Sequence, residues 1–429
     1  MSKVGFITLG CKVNIYESNA LKNLLMEKGL EVKEPDEDCD VFIINTCSVT
    51  NMADAKSRKM IHKCIKLNPS AIICAMGCFI QTSQDAKDMD GIDIVIGNGN
   101  KKDAVDLILK MLKEGKKDKV IDVLNILETS EFEPLGVTTY DHTRAFVKIE
   151  DGCENFCTYC IIPYARGPVR SKPKNEVIEE LKRIASNGYK EVVLAGIHTG
   201  RYQDGDTKFS DLVETILKEV KEIKRLRVSS IEMNEVDDKF IHLMKENKVL
   251  ANHLHLPLQA GSDLVLSKME RKYDVAGYIE KVKAIRAARP DISITTDVIV
   301  GFPYETEKEF METYNLCKEL KLSKLHVFPY SVRRGTKAAL FPQVKDDEKK
   351  DRAKRLIELS QKLEEEYANQ FIGQILDCIP EQATKDGSMI GHTSNFLQVI
   401  LPYNSELIGK LIDVKISNVK DGKIYGEIQ

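Results

Sequence analysis

From Val4 to Lys113, short β-branched runs alternate with amphipathic stretches of helical period. Val4–Leu9, Val41–Asn45, Ala71–Ala75 and Asp93–Ile96 read as strands; Glu17–Lys28, Met52–Leu67 and Asp103–Lys113 read as helices. This alternation predicts βαβ units, hence a doubly wound parallel sheet with helices on both faces. Residues 114–141 begin with a charged run and lose clear periodicity, so they read as a connector.

A second series starts at Arg144–Ile149. Further strands are expected at Glu191–Ala195, Leu226–Ile231, His253–Leu256, Ser293–Val300 and Lys324–Val327. Helices are expected between them at Asn175–Ala185, Phe209–Val220, Val275–Ala288 and Glu305–Leu320, with a long charged helix at Asp346–Phe371 closing the series. Six units with no seventh or eighth predict a partial (β/α)6 barrel. From about Gly373 the pattern changes to short strands separated by turn residues, such as Phe396–Leu401 and Leu411–Ile416, which suits a small β-barrel. The fold class is α/β, with expected units at 1–113, 142–371 and 372–429 around the 114–141 connector.

With 429 residues the chain exceeds one ordinary domain, in line with that division. Its formal net charge of −3 excludes a global polycation, so any nucleic-acid contact must use local patches. No apolar run is long enough to span a bilayer, and Met1–Gly10 lacks a signal-peptide pattern. A cytoplasmic location is the resulting expectation. Eleven cysteines in such a setting point to metal or redox chemistry rather than disulfides.

Three of them, Cys153, Cys157 and Cys160, form a C-x3-C-x2-C run directly after the first strand of the second series. Thiolates ligate iron–sulfur clusters, and such spacings let one loop wrap a cluster corner. A structural zinc site needs four ligands; none stands nearby in sequence, although a distant residue could supply one. Three protein ligands on a four-iron cube leave one iron open to a small molecule.

That run, at the top of the first strand of a six-unit barrel, resembles the radical S-adenosylmethionine superfamily. The resemblance implies a 4Fe–4S cluster on Cys153, Cys157 and Cys160 that binds S-adenosylmethionine and cleaves it to methionine and a 5′-deoxyadenosyl radical. It also implies cofactor contacts at Gly196 and Gly200, Glu232, Gln259, Val298 and Val300, each near the end of a successive strand, together with Arg271; Tyr159 could stack near the adenine or simply pack the loop.

Cys11, Cys47 and Cys78 are far apart in sequence, yet each lies two or three residues beyond a predicted strand. Loops at the carboxyl ends of neighbouring strands converge on one crevice in a doubly wound sheet. Geometry alone leaves a second cluster and three unrelated loop thiols equally open. Cys39, Cys64, Cys74, Cys317 and Cys378 fall at other places in their elements and read as structural.

Two triplets, an N-terminal α/β unit, a radical core and a terminal β module are together similar to the methylthiotransferases. The segments Thr8–Asn14, Asn45–Cys47 and Gly77–Cys78 match that family's auxiliary-cluster motifs, and the end module its TRAM domain. The resemblance implies two 4Fe–4S clusters, one of them sulfur-donating, and transfer of a methylthio group to an unactivated carbon. Cys160–Ser171 is similar to the subgroup acting on threonylcarbamoyladenosine beside the tRNA anticodon. The partners so implied are a tRNA anticodon stem-loop and an electron donor such as flavodoxin or ferredoxin, with the sulfur source open. Two other readings stand beside this one: a radical enzyme without sulfur insertion, and a non-catalytic iron–sulfur RNA-binding protein.

Arg166, Arg170, Lys172 and Lys174 form a basic run near the expected barrel mouth, and Arg333, Arg334 and Lys337 a second rim. Both suit phosphates or the carboxylate of a modified base. The terminal module has five lysines against seven carboxylates, so it offers no phosphate-tracking face of its own. Phe396 and Tyr403 are its possible base stackers, though as core and turn residues they have a more ordinary explanation. The eight histidines show no metal pattern; His198, beside the expected cofactor loop, is the one to inspect.

Overall fold

Six parallel strands build the N-terminal sheet: β1 (Lys3–Thr8), β2 (Glu31–Lys33), β3 (Val41–Thr46), β4 (Ile72–Gly77), β5 (Ile94–Ile96) and β6 (Val120–Asp122). The computed structural model describes residues 1–140 and 143–429; the boundary expected at 141–142, and His142, lie outside the described residues. The strand order is β2-β1-β3-β4-β5-β6, so the winding reverses between β1 and β3. The strands β3 and β4 are buried along their whole length, as expected where helices cover both faces. Helix α1 (Lys12–Glu27) follows β1, and helix α2 (Asn51–Leu67) follows β3.

The connector contributes more than a linker. Val120–Asp122 pairs with β5 as an edge strand, a three-residue element too short to show a period. Further along, the Leu135 carbonyl accepts the Tyr16 hydroxyl at 2.5 Å, and the Asn23 side chain holds Thr138 and Thr139. These bonds bind the stretch to α1.

The barrel of the central unit has six strands: β7 (Arg144–Lys148), β8 (Glu191–Ala195), β9 (Arg225–Val228), β10 (His253–His255), β11 (Ser293–Val300) and β12 (Lys324–Pro329). They form two parallel three-stranded runs, β7-β8-β9 and β10-β11-β12, the partial barrel that the pattern predicts. One continuous apolar core joins the first sheet to this barrel, including Tyr16 and Ile43 from one side and Val147 and Leu194 from the other. Among the described residues no helix is long and apolar enough to cross a membrane.

The short helix α3 (Ile162–Arg166) sits in the loop after β7, and the 24-residue helix α4 (Asp346–Asn369) closes the series. On α4, Leu356, Leu359, Leu363 and Tyr367 recur at helical spacing and are buried, and Arg352 is buried on the same side, paired with Glu305 at 2.9 Å. Its end supplies Tyr367, Ala368 and Phe371 to the core of the terminal module. That module is a closed five-stranded barrel: β13 (Ile375–Ala383), β14 (Ser388–Thr393), β15 (Gln398–Pro402), β16 (Ile412–Lys420) and β17 (Lys423–Ile428).

The terminal barrel docks on the amino ends of the central strands. Glu191 at the start of β8 pairs with Arg225 and Arg227 of β9 at 2.7 and 2.8 Å. Arg225 continues to Asp377 at 2.8 Å, and Arg227 donates to the carbonyls of Thr393 and Ser394. Phe396, a candidate base stacker by sequence, is stacked instead on His253 and His392, with Arg227 over its ring at 4.7 Å. Its role is to pin the two units together. Tyr403 remains exposed.

Candidate active site

The mouth formed by the carboxyl ends of the central strands holds a cavity of about 330 Å³. Cys153, Cys157 and Cys160 share its wall with Tyr159, Glu232, Gln259 and Arg271. The cysteine loop is fastened at several points. Cys153 N donates to the Gly167 carbonyl at 3.0 Å, Thr158 N to Met269, and Cys160 N to Cys157. Phe156 adopts a left-handed backbone (φ 47°), which turns the chain so that the thiols stay on one side.

Polar groups already address these thiols. Arg271 Nη1 donates to Cys157 Sγ at 3.2 Å, while its Nη2 lies 2.7 Å from Glu232. His198 Nδ1 is 3.7 Å from Cys153 Sγ, and its Nε2 is 2.6 Å from Glu235. Burial alone would lower the His198 pKa, but Cys153 and Glu235 outweigh it and raise it to about 10. Burial pushes the Cys160 thiol up to about 12, with Cys157 and Cys153 adding to the effect. Thiols crowded in this way favour a bound cation over free thiolates. His198, Glu232 and Glu235 also bring ligand atoms within 4.8 Å of one another, but Arg271 and Arg201 pair with those carboxylates and balance their charge.

The rest of the cavity fits a zwitterion carrying a flat ring. Glu232 and Arg271 present opposite charges side by side, and Tyr159, Ile197, Pro257, Ile299 and Phe328 give apolar surface. Gln259 is held at φ 64° between two β11 contacts, accepting from Ile299 N and donating to the Asp297 carbonyl.

Two groups of predicted contacts are corrected. Val298 and Val300 are fully buried in the core; Asp297 and Ile299 line the cavity instead, because alternate residues of a strand face opposite sides. Gly196 and Gly200 are absent from the cavity wall, where Ile197, His198 and Thr199 stand. A Cβ on Gly196 would meet the Glu150 carboxylate at 2.7 Å, and one on Gly200 would meet that of Glu235 at 2.4 Å. Those glycines make room for protein carboxylates.

Cys11, Cys47 and Cys78 lie just beyond β1, β3 and β4, which are adjacent strands, with the β1/β3 pair at the reversal of strand order. A crevice opens at such a point. Gly10 (φ 100°) lets the Cys11 loop close down: a Cβ there would come within 3.0 Å of Cys47 Sγ. Burial pushes the Cys47 thiol up to about 11, and nearby Cys78 and Cys11 act in the same direction. All eleven cysteines are free.

The basic run after Cys160 also requires correction. Arg166, Arg170 and Lys172 are buried rather than exposed at the surface. Arg166 pairs with Glu17 at 2.6 Å and Asp151 at 3.1 Å, and donates to Asn14 Oδ1 at 2.5 Å. Glu17 is also paired with Lys101 and Lys148, and Arg170 faces Asp151. Lys172 pairs with Glu180 at 2.5 Å. A buried charge needs such partners; Glu17 and Asn14 come from a distant part of the chain, whereas Asp151 and Glu180 are supplied nearby in sequence. Burial raises both the Cys11 and the Cys47 thiol, and the Arg166 guanidinium opposes the rise at each, which puts its positive charge beside the dispersed triplet.

Asn98 makes the second tie. Its Nδ2 donates to the Ala165 carbonyl of α3 at 2.7 Å and to Cys78 Sγ at 3.4 Å. One five-residue helix thus follows Cys160 and reaches the surroundings of Cys11, Cys47 and Cys78. Asn98 stands between two glycines just after β5, and its local sequence carries no sign that Cys78 and Ala165 will meet it.

On the second rim, Arg333 lines the cavity, but its guanidinium is taken by Asp54 at 2.9 Å, Ser48 and Asn51. Lys337 pairs with Glu270, whereas Arg334 is exposed. Val49, Thr50, Asn155, Ser230 and Asp297 also line the wall, and none of them follows from a sequence motif. A polar residue within an apolar strand was the available signal for Asp297.

Residues 147–317 match the model of the radical SAM superfamily, and residues 3–97 the model described as uncharacterized protein family UPF0004. Barrel, cysteine loop and cavity are those of a radical S-adenosylmethionine enzyme, a class that works with a 4Fe–4S cluster and S-adenosylmethionine. Over 438 residues the chain is 43% identical to threonylcarbamoyladenosine tRNA methylthiotransferase MtaB of Bacillus subtilis (strain 168), covering 100% of this chain and 96% of that protein. It is 36% identical to tRNA-2-methylthio-N(6)-dimethylallyladenosine synthase of Thermoanaerobacter sp. (strain X514), covering 98% and 91%. The chain belongs to the radical SAM tRNA methylthiotransferase family. In fold it is similar to the radical S-adenosylmethionine methyltransferase TsrM from Kitasatospora setae (TM-score 0.57, 14% identity, 76% of this chain and 73% of that one).

Proposed function

We propose that this enzyme converts N6-threonylcarbamoyladenosine next to a tRNA anticodon into its 2-methylthio derivative. The observation that carries the proposal is the pairing of two cysteine triplets, each at the carboxyl ends of parallel strands and joined through α3. Cys153, Cys157 and Cys160 would hold the radical cluster, and Cys11, Cys47 and Cys78 an auxiliary, sulfur-donating one. Bound there, the clusters and S-adenosylmethionine supply the radical and sulfur chemistry that protein side chains lack, since a ring C–H offers neither acidity nor a leaving group.

The residues of the chain do the positioning. Glu232 and Arg271 would orient the amino and carboxylate groups of S-adenosylmethionine, and Tyr159 and Ile299 would border its adenosine. Arg166 keeps positive charge beside the auxiliary thiols. Overall, the C2–H bond of adenine would be exchanged for a C2–S bond, the hydrogen leaving on the 5′-deoxyadenosyl group of one S-adenosylmethionine and the methyl on sulfur coming from another. Electrons would come from a flavodoxin- or ferredoxin-type donor in the cytoplasm. The choice of threonylcarbamoyladenosine is supported by the name of the 43%-identical relative, which covers the full chain.

The test is anaerobic turnover of the reconstituted enzyme with tRNA bearing threonylcarbamoyladenosine, dimethylallyladenosine or plain adenosine, followed by nucleoside mass spectrometry. A methylthio product from the first alone is expected. A product from the dimethylallyl substrate alone would reassign the subgroup, and no product from any would overturn the proposal.

A further inference from the structure

With Arg166, Arg170 and Lys172 buried, the RNA-facing charge must lie elsewhere. The helix α2 starts at the cavity and leaves it along the surface. Val49 and Thr50, just before it, line the cavity. Asn51 is bonded to Ser331 and Val332 on the opposite rim, and Asp54 is paired with Arg333. These contacts fix the direction of the helix relative to the mouth.

Along α2, Lys56, Lys59, Lys63 and Lys66 are exposed and recur at i, i+3, i+7 and i+10. At 3.6 residues per turn they fall within an arc of about 80° and span about 15 Å. Ser57, Ile61 and Cys64 fill the buried side. Among the described residues none of the four ammonium groups has an ion-pair partner, and the one carboxylate of α2, Asp54, is already used by Arg333. The acidic loop Asp36–Asp38 borders Lys63 and Leu67 and marks the far edge of the stripe; Asp36 and Asp38 pair with Lys33. Beside the mouth, Val49 and Met52 are exposed apolar side chains.

We infer that this face of α2 is a docking surface for the phosphate backbone of the RNA substrate, leading from the cavity outward. The inference rests on the reading that tRNA is the substrate. A chain of net charge −3 that leaves four unpaired cations on one helix face has built a local electropositive track. A bland role is available, since cations near a helix C-terminus favour the macrodipole. That role would affect helix stability and leave RNA affinity unchanged.

The experiment uses the full reconstituted enzyme with Lys56→Gln, Lys59→Gln, Lys63→Gln and Lys66→Gln combined, binding a threonylcarbamoylated tRNA over a range of KCl. A control variant removes the same charge elsewhere, with Lys283→Gln, Lys318→Gln, Lys350→Gln and Lys354→Gln. Each lost phosphate contact lowers the slope of log Kobs against log salt by about 0.7–0.9. The α2 variant should therefore show a slope shallower by about 3 and a raised KM for tRNA. Its kcat at saturating RNA and its RNA-independent cleavage of S-adenosylmethionine should match wild type, while the control keeps the wild-type slope. An unchanged slope in the α2 variant, or an equal change in the control, overturns the inference. Wild-type enzyme that binds no tRNA overturns the proposed function itself, a distinct result.

Discussion

Arg166 places Nη1 2.6 Å from Oε1 of Glu17, 149 residues away, and neither side chain reaches solvent. Burial opposes ionisation of Glu17, yet Arg166, Lys101 and Lys148 hold its carboxyl well below the usual range. The pair fastens the loop after Cys160 to the helix after Cys11, so the supports of the two triplets share one charged seam. Breaking a buried pair from one side leaves an uncompensated charge, at a cost of about 3–5 kcal/mol. Arg166→Met should lower the unfolding midpoint accordingly in thermal or urea melts. Adding Glu17→Gln should deepen the loss, because Lys101 and Lys148 are both buried against Glu17 and would lose that partner. An Arg166→Met protein with wild-type stability would remove the seam from the account.

The two triplets should separate in function. Replacing Cys153, Cys157 and Cys160 with alanine should abolish reductive cleavage of S-adenosylmethionine while iron remains bound at the other site. Replacing Cys11, Cys47 and Cys78 should preserve cleavage and eliminate the methylthio product. Iron content and 5′-deoxyadenosine yield read the two effects. Methylthiolated RNA from the second variant would refute the auxiliary assignment.

Asn98 donates to Cys78 Sγ at 3.4 Å. A hydrogen bond to a ligand sulfur stabilises the more negative, reduced form of a cluster. Asn98→Leu should therefore move the midpoint potential of the auxiliary cluster to more negative values in an EPR-monitored redox titration, with the radical cluster unmoved. A shift of both clusters together would point to general loosening of the fold.

Acid should weaken the docking of the terminal barrel through Glu191. Burial would raise its pKa, but Arg227, Arg225 and Arg144 outweigh this and bring it from 4.5 to about 2. A depressed carboxylate stabilises the fold fully above its unfolded pKa, and the benefit is lost as pH falls through the folded value. The window is about pH 4.5 down to 2, and the difference is about 3 kcal/mol. Glu191→Gln should be less stable than wild type at pH 7 and lose less on going to pH 3. Urea melts at both pH values check the sign; parallel losses in the two proteins would contradict it.

Local periodicity and local spacing were legible in the chain. Most of the strands and longer helices followed from apolar recurrence, because each element must bury one face whatever its neighbours are; the strands Glu31–Lys33 and Val120–Asp122 and the helices Cys78–Thr82 and Asp238–Glu246 did not. The close triplet was equally legible, since Cys153, Cys157 and Cys160 are fixed by covalent distance within one loop. The position of Cys11, Cys47 and Cys78 after successive strands gave their convergence only once a parallel sheet was assumed.

What the chain alone left undecided was which way a side chain points and what meets it. Arg166 and Lys172 look like solvated cations in sequence; Glu17 and Glu180, supplied by other helices, make them interior residues. Val298 and Asp297 are adjacent in sequence, and only the closure of the barrel says which faces the cavity. Phe396 met His253 and His392 rather than a base for the same reason. The energy of a charge or a ring is set by its surroundings, and contacts across more than a hundred residues exist only in the folded chain. The sequence by itself therefore determined the elements and the cysteine chemistry, and the tertiary structure decided which charges are buried in the seam and which are left free on α2.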